Sequence, residues 1–307
     1  MKVIICDPID KESLGKLQTH KGLEVDEKTG LAPDELLKII GDYHAMVVRS
    51  ATKVTADVIK EGKNLKLVVR GGVGVDNIDV KCAEAAGIKV ANTPNASSIS
   101  VAEMAIAMMF GLAKKLTYLD SSMKNGKWVK KGYKAMELYG KTVGIIGMGR
   151  IGQEVARRAL GLGMHVHFQD VRSILTFDPT GIGTEQHPMN VILEESDFIT
   201  LHVPFMKEHG PLLKAEHFAR MKDGVFIINC ARGGVVDEKA LLDALKSGKV
   251  AGAGIDVFET EPAFREEFKE LENVILTPHV AASTKEGQAR VGSEVAKIII
   301  DFYEANK

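Results

Sequence analysis

Cysteine is scarce in this chain, and the little present does not pair into a scaffold. Cys6, Cys82 and Cys230 are odd in number, widely separated and without a CxxC step. That excludes a disulfide framework and a thiolate zinc site, and it suits a reducing cytosol. An excess of one charge is also lacking: 40 Lys and Arg stand against 41 Asp and Glu. Nothing electrostatic therefore points to nucleic acid or to an anionic membrane surface. Long apolar runs are absent. The longest, Met104–Ala113, follows Glu103 and is too short to span a bilayer. The opening MKVIICDPID meets an acid and a proline after four apolar residues, so it reads as a first strand and not as a signal peptide. No internal repeat or low-complexity segment stands out. The expectation is a cytoplasmic protein that binds neither nucleic acid nor membrane and holds no metal.

What the chain does have is a glycine-rich unit, TVGIIGMGRIGQEVARRALGLGMHVHFQD, from Thr142 to Asp170. Val143–Ile146 reads as a strand that stops at Gly147-Met148-Gly149-Arg150-Ile151-Gly152. Ile151, Val155, Ala159 and Leu162 then fall at helical spacing, and Val166–Phe168 forms a second strand ending near Asp170. That acid lies 18 positions after Gly152 (170 − 152), close to the offset of a dinucleotide-binding unit. The chemistry explains the spacing. Gly147 permits the tight turn, Gly149 lets a pyrophosphate approach the backbone, and Gly152 lets the helix pack against its strand. The helix N-terminus, through Arg150 and Ile151, offers N–H groups to the anion. Asp170 would accept hydrogen bonds from the adenosine ribose diol and repel a 2′-phosphate, which favours NAD over NADP; Arg172 nearby weakens that preference.

The 307 residues exceed the usual size of one core, and their arrangement is α/β. Strands are expected at Val3–Cys6, Ala45–Val48, Leu67–Val69 and Ile88–Ala91, with helices at Pro33–Ile40, Thr55–Glu61 and Asp79–Ala86 between them. Such alternation implies a parallel sheet covered on both faces. A long apolar helix, Val101–Leu112, follows, and Ser121–Lys134 around Trp128 reads as a surface excursion. Further strands are expected at Phe198–His202, Val225–Cys230, Ala253–Val257 and Val274–Thr277, and a final helix at Lys285–Tyr303. The dinucleotide motif begins late, so a separate domain must precede it. The expected division is a flavodoxin-like substrate domain, 1–95 with 284–307, holding an inserted, doubly wound NAD-binding domain, 96–283. Hinges are expected near Asn95 and Ser283, and the long apolar helix is expected to dimerise.

Three further places carry chemistry. Asn229-Cys230-Ala231-Arg232-Gly233-Gly234 puts an arginine just past a strand, where a guanidinium can grip a carboxylate with two parallel hydrogen bonds. Asp256-Val257-Phe258-Glu259-Thr260-Glu261-Pro262 and Leu276-Thr277-Pro278-His279 each follow a strand too. A carboxylate held against an imidazole fixes its tautomer and suits proton exchange near neutrality. Spacing alone does not show that Glu261 touches His279.

GMGRIG, NCARGGVVDE, GIDVFETEP and TPHVAAST, in that order, resemble the D-isomer-specific 2-hydroxyacid dehydrogenases. The likeness extends through VRSATKVT, RGGVGVDNID and NTPNASSISVAE, over nearly the whole chain. SMKNGKW, ELYGKTVGIIGMGRIG and INCARGGVVDEKAL are most similar to the D-3-phosphoglycerate dehydrogenase branch. The resemblance implies NAD-dependent oxidation of D-3-phosphoglycerate, the first step of serine biosynthesis, with glyoxylate or hydroxypyruvate reduction as the alternative within the family. A catalytically silent, NAD-sensing corepressor is the alternative outside it.

The same resemblance implies a catalytic set of Arg232, Glu261 and His279. His279 would exchange the hydroxyl proton, Glu261 would orient it and hold up its pKa, and Arg232 would bind the carboxylate. Asp256 would contact the nicotinamide amide, with Val73, Val203, Cys230, Ala231, Ala281 and Ala282 beside the cofactor. Gly72 and Val73 would meet the substrate carboxylate through their backbone, supported by Arg49, Ser50 and Asn95. A substrate phosphate would call on Arg49, Lys53 and Arg70, and on Lys130 reaching from a partner in a homodimer. The chain ends at Lys307, just past its last helix, so no C-terminal regulatory domain and no feedback inhibition by serine are expected.

Overall fold

A computed structural model describes residues 1–172 and 184–307. The chain forms two compact units, Met1–Ser97 with Ala282–Lys307, and Ser98–Ala281.

In the first unit, strands β1 (Lys2–Ile5), β2 (Glu24–Glu27), β3 (Ala45–Val48), β4 (Leu67–Arg70) and β5 (Lys89–Asn92) alternate with helices α1 (Lys11–Thr19), α2 (Pro33–Ile39), α3 (Ala56–Glu61) and α4 (Val80–Ala85). All strand pairs are parallel, in the order β2-β1-β3-β4-β5, the flavodoxin-like order. Alternation along each strand feeds two cores. Ile4, Met46, Val48 and Val68 pack on one face with Leu36, Val58 and Ile59. Val3, Ile5, Val47, Leu67 and Val69 pack on the other with Val291, Val295 and Ile299. Helices begin where side chains cap them: Asp10 accepts from Ser13 N, Thr55 from Val58 N, and Asp79 from Cys82 N.

The second unit opens with α5 (Ser98–Ala113) and α6 (Leu116–Lys124), then β6 (Thr142–Ile146), α7 (Arg150–Gly161), β7 (His165–Gln169), β8 (Thr184–Gln186), α8 (Met189–Glu195), β9 (Phe198–Leu201), α9 (Ala215–Arg220), β10 (Val225–Asn229), α10 (Glu238–Lys246), β11 (Val250–Ile255) and β12 (Val274–Leu276). The chain then returns to the first unit as α11 (Lys285–Ala305). The seven-stranded sheet is parallel throughout, ordered β12-β11-β10-β9-β6-β7-β8. Chain direction across the sheet reverses between β6 and β9, and ligands of such sheets lie beyond the carboxyl ends of the strands at that reversal.

The composition of α5 follows from its burial. It packs on α7 and on β10, β11 and β12 of its own unit, burying Val101, Ala102, Ala105, Met108, Met109 and Leu112. One stripe stays open along the helix: Ile99, Glu103, Ala107 and Phe110 are exposed. The rest of the apolar pattern reflects packing within one unit. Among the described residues, no helix is long and apolar enough to cross a membrane.

Candidate active site

The glycine-rich turn joins β6 to α7. Gly147 has φ 96°, a left-handed conformation costly to any residue with a Cβ. A Cβ on Gly152 would stand 2.2 Å from the Gly147 carbonyl oxygen, so the first turn of α7 closes directly on the loop. Gly149 is the N-cap of α7, and nothing lies within 4 Å of where its Cβ would be. A cradle of backbone N–H groups beneath open space is what a pyrophosphate requires. Arg150 is exposed and Ile151 partly buried beside it. Asp170 Oδ2 accepts from Met148 N at 2.9 Å, and its Oδ1 accepts from Arg172 N at 3.0 Å. The carboxylate thus props the glycine turn and keeps further lone pairs able to accept hydrogen bonds. Val203, after β9, lines the turn: its Cγ1 would be 2.7 Å from a Cβ on Gly147.

The loops after β10, β11 and β12 carry the remaining polar groups, and those three strands are neighbours. After β10, buried Asn229 folds the chain back on itself. Its Oδ1 accepts from Ala231 N at 3.1 Å and its Nδ2 donates to Arg232 O at 3.1 Å. Arg232 follows, with Nη1 donating to Ala231 O at 2.7 Å. The next residue must be glycine, because a Cβ on Gly233 would lie 1.7 Å from Phe258 O. This close approach presses the arginine loop against the loop after β11.

That second loop delivers Glu261, and the loop after β12 delivers His279. Glu261 Oε2 and His279 Nδ1 are 2.8 Å apart, and Glu261 Oε1 accepts from Phe258 N at 3.1 Å. Both side chains are part-exposed, 37% for Glu261 and 48% for His279. A carboxylate only accepts, so Nδ1–H donates to Glu261 and the other ring nitrogen, Nε2, keeps its lone pair.

His279 has φ 53°, an uncommon backbone state for a residue with a side chain. Fully buried Asp256 holds it there. Oδ1 accepts from Thr277 Oγ1 at 2.5 Å and from Val280 N at 2.9 Å, and Oδ2 accepts from Ala281 N at 2.9 Å. The Asp256 carbonyl also accepts from His279 N at 2.8 Å. The structure thereby gives Asp256 a task the resemblance did not suggest: it fixes the turn that aims the histidine. Ala281 is buried and Ala282 partly so.

In the first unit, the loops after β3 and β4 gather cations. Arg49 follows β3, Arg70 ends β4, and Val48 pairs with Arg70. Arg49 is half-buried, with Nη1 donating to Pro8 O at 3.3 Å; desolvation lowers its pKa, and Asp7 opposes the shift. Arg70 folds over Gly72, where a Cβ would stand 1.5 Å from its Nη1. Asp7 Oδ2 accepts from Arg49 N at 2.5 Å and Thr52 N at 3.2 Å, and its Oδ1 accepts from Thr52 Oγ1 at 2.7 Å. Asn77 donates to Arg49 O and Thr52 O at 2.8 and 2.6 Å, and Asn92 Nδ2 donates to Val73 O at 2.5 Å. Ser50 and Lys53 are exposed on the loop after β3, and Asn95 is exposed past β5. Lys130 is exposed in the second unit, beyond α6.

Comparison with known proteins decides the family. Residues 106–281 match the D-isomer specific 2-hydroxyacid dehydrogenase, NAD binding domain. A hydroxypyruvate reductase of Thermotoga maritima is 48% identical over 305 residues, covering 97% of both chains. The chain belongs to the D-isomer-specific 2-hydroxyacid dehydrogenases. It is also 46% identical to a D-3-phosphoglycerate dehydrogenase of Archaeoglobus fulgidus, covering 98% of this chain but 57% of that protein. Among solved structures, D-lactate dehydrogenase from Aquifex aeolicus with NAD and lactic acid superposes with TM-score 0.84 at 32% identity, covering 99% of this chain and 96% of that one. The protein is an NAD-dependent dehydrogenase acting on small 2-hydroxy or 2-oxo acids.

Two buried groups of this dehydrogenase are kept inactive by their surroundings. Burial, with Asp256 nearby, pushes the Cys230 thiol far up, so it stays protonated. His202, after β9, is partly buried as a whole, while its Nδ1 meets neither solvent nor a partner. Its Nε2 lies 2.9 Å from Thr200 Oγ1, and burial depresses its pKa to about 3. Asn229, Asp7, Asn77 and the Glu238–Glu259 pair were not legible as site residues. Glu238 Oε1 accepts from Glu259 N at 2.6 Å and Glu259 Oε1 accepts from Glu238 N at 2.9 Å, docking the Glu261 loop on α10. Only their places beside strand ends hinted at such a role.

Proposed function

We propose that the protein oxidises D-3-phosphoglycerate with NAD⁺, with Arg232, Glu261 and His279 as the residues that act on the substrate. The Glu261–His279 contact at 2.8 Å carries the catalytic part of this reading. When bound, NAD⁺ supplies the acceptor for the hydride that leaves the substrate's C2. His279 Nε2 takes the hydroxyl proton as C2 becomes a carbonyl, and returns it in the reverse direction. Glu261 keeps the imidazole in the tautomer that leaves Nε2 its lone pair. Arg232 binds the substrate carboxylate and, close to the carbonyl oxygen, stabilises its developing charge. Gly147, Gly149, Gly152 and Asp170 hold the cofactor, and the Asp170 carboxylate favours NAD over NADP.

The phosphorylated substrate is supported by Arg49, just past β3, and Arg70, at the end of the neighbouring β4. Lys53 and Lys130 add positive charge. A second reading, reduction of unphosphorylated hydroxypyruvate, is favoured by the 48% identical reductase that the chain matches over 97% of its length. Kinetics with phosphoglycerate, glycerate, hydroxypyruvate and glyoxylate separate the two. Preference for phosphoglycerate, with Arg49→Ala raising KM by about tenfold or more for that substrate alone, supports the first. Equal kcat/KM for glycerate and phosphoglycerate refutes it.

A homodimer is proposed on the second unit. Leu116, Met123, Trp128 and Tyr139 are 49, 52, 76 and 76% exposed on α6 and the stretch that follows, and such a run of large apolar side chains marks an association surface. A reducing compartment is supported by the free state of Cys6, Cys82 and Cys230.

A further inference from the structure

We propose that the edge of the second unit's sheet carries a site for a zinc-class divalent transition-metal ion, held by His167, Glu185 and His187. The register of two parallel strands makes the cluster. His167 on β7 pairs with Glu185 on β8, and His187 lies two residues beyond Glu185, so all three side chains share one face. Each offers a ligand atom, and these atoms lie within 4.8 Å of one another. The imidazole centroids of His167 and His187 are 4.4 Å apart, and His187 Nε2 is 3.1 Å from Glu185 Oε2. Among the described residues this is the one such group of three.

The donor chemistry selects the ion. Two imidazoles and one carboxylate suit zinc, nickel or copper, whereas calcium and magnesium demand oxygen ligands. Two imidazoles this close would repel each other if both were charged. His167 Nδ1 is also shut off from solvent without a hydrogen-bond partner. A cation answers both observations: it binds neutral imidazole and gives the partnerless groove an electrophile. The carboxylate of Glu195, 3.8 Å from His167 Nδ1, lies beside the cluster and adds negative charge there.

The position gives the ion a structural task. Among the described strands, β8 stands at one edge of the seven-stranded sheet and pairs with β7 alone. A metal bridging His167 to Glu185 and His187 would clamp that edge strand. β7 runs on into Asp170, whose carboxylate props the glycine turn. Gln186 on β8 also donates to Arg172 O at 3.0 Å. The clamp would therefore firm the side of the NAD site formed by Asp170 without touching Arg232, Glu261 or His279.

The test uses the full chain, freed of any affinity tag and of metal by dialysis against chelator. Zn²⁺ is titrated by calorimetry, and Co²⁺ by its visible absorption as a report of coordination geometry. The expected result is one equivalent bound per chain, a rise in melting temperature, and a four-coordinate cobalt spectrum. His187→Gln and Glu185→Gln, on the outer side of the cluster, should each weaken binding by about tenfold or more. Both variants should keep wild-type turnover in the absence of metal, which confirms that they fold. Absence of binding in the wild type overturns the proposal. So does binding that His187→Gln leaves unchanged, since the ion would then sit elsewhere, for instance at the Glu261–His279 pair.

Discussion

At the residue scale the account turns on His279, Asp170 and His202. Removing the imidazole in His279→Ala should cut kcat by about 10²–10⁴-fold, the usual worth of a positioned general base. NADH affinity, read by fluorescence titration, should stay near wild type, because the glycine turn holds the cofactor; wild-type turnover would remove His279 from the mechanism. Asp170→Ala should raise the relative kcat/KM for NADP, and an unchanged NAD/NADP ratio would mean the acid only props Met148.

His202 makes a prediction about acid. The folded chain keeps it neutral down to about pH 3, whereas the unfolded chain takes up the proton as pH falls through about 6.5. Its contribution to stability is therefore complete above the unfolded value and is lost progressively as pH drops toward the folded one, by up to ~1.4 kcal/mol per pH unit. Denaturant melts from pH 7 to pH 4 should show a shallower fall in His202→Asn than in the wild type. Parallel slopes would show that the imidazole is not held neutral.

At the scale of elements, strands and their terminal loops place the chemistry. Gly233→Ala sets a Cβ against Phe258 O and should cost ~2 kcal/mol or more by forcing two loops apart. Chemical denaturation measures that loss, and a neutral variant would show that the loops do not press together. Much of this scale was readable in the chain. Buried parallel strands such as Val225–Asn229 are continuous apolar runs, and the glycine spacing announced the β6–α7 turn. What escaped notice was polar. β2 reads EVDE and β8 reads TEQ, because strands at a sheet edge need little apolar surface and leave no run to find. α1, with a single buried leucine, Leu17, beside buried Ser13, lacks the stripe that marked α7. The Asp256 network was hidden for another reason. Its partners are the Thr277 hydroxyl and the backbone N–H groups of residues 280 and 281, and a carboxylate that holds backbone looks in sequence like any acid past a strand.

At the scale of the whole molecule, the late glycine motif pointed to a preceding domain, and the chain indeed forms a five-stranded and a seven-stranded parallel unit. α5, expected to mark an association helix, packs on α7 and the sheet of its own unit and keeps an open stripe of Ile99, Glu103, Ala107 and Phe110. The exposed aromatic and aliphatic side chains past it, Trp128 and Tyr139 above all, add a second candidate surface for joining two copies. Sedimentation at micromolar concentration should show a dimer that Trp128→Glu weakens. A monomer in the wild type would defeat that proposal.

The central claim, hydride transfer from a D-2-hydroxy acid with His279 as the proton acceptor, is tested most directly by initial rates of NADH formation. Wild-type protein and His279→Ala would be compared on D- and L-forms of phosphoglycerate and of unphosphorylated 2-hydroxy acids. The account predicts turnover of a D-acid, little of its L-form, and near-complete loss in the variant. NADH binding without turnover of any acid in the wild type, or turnover undiminished in His279→Ala, would contradict it.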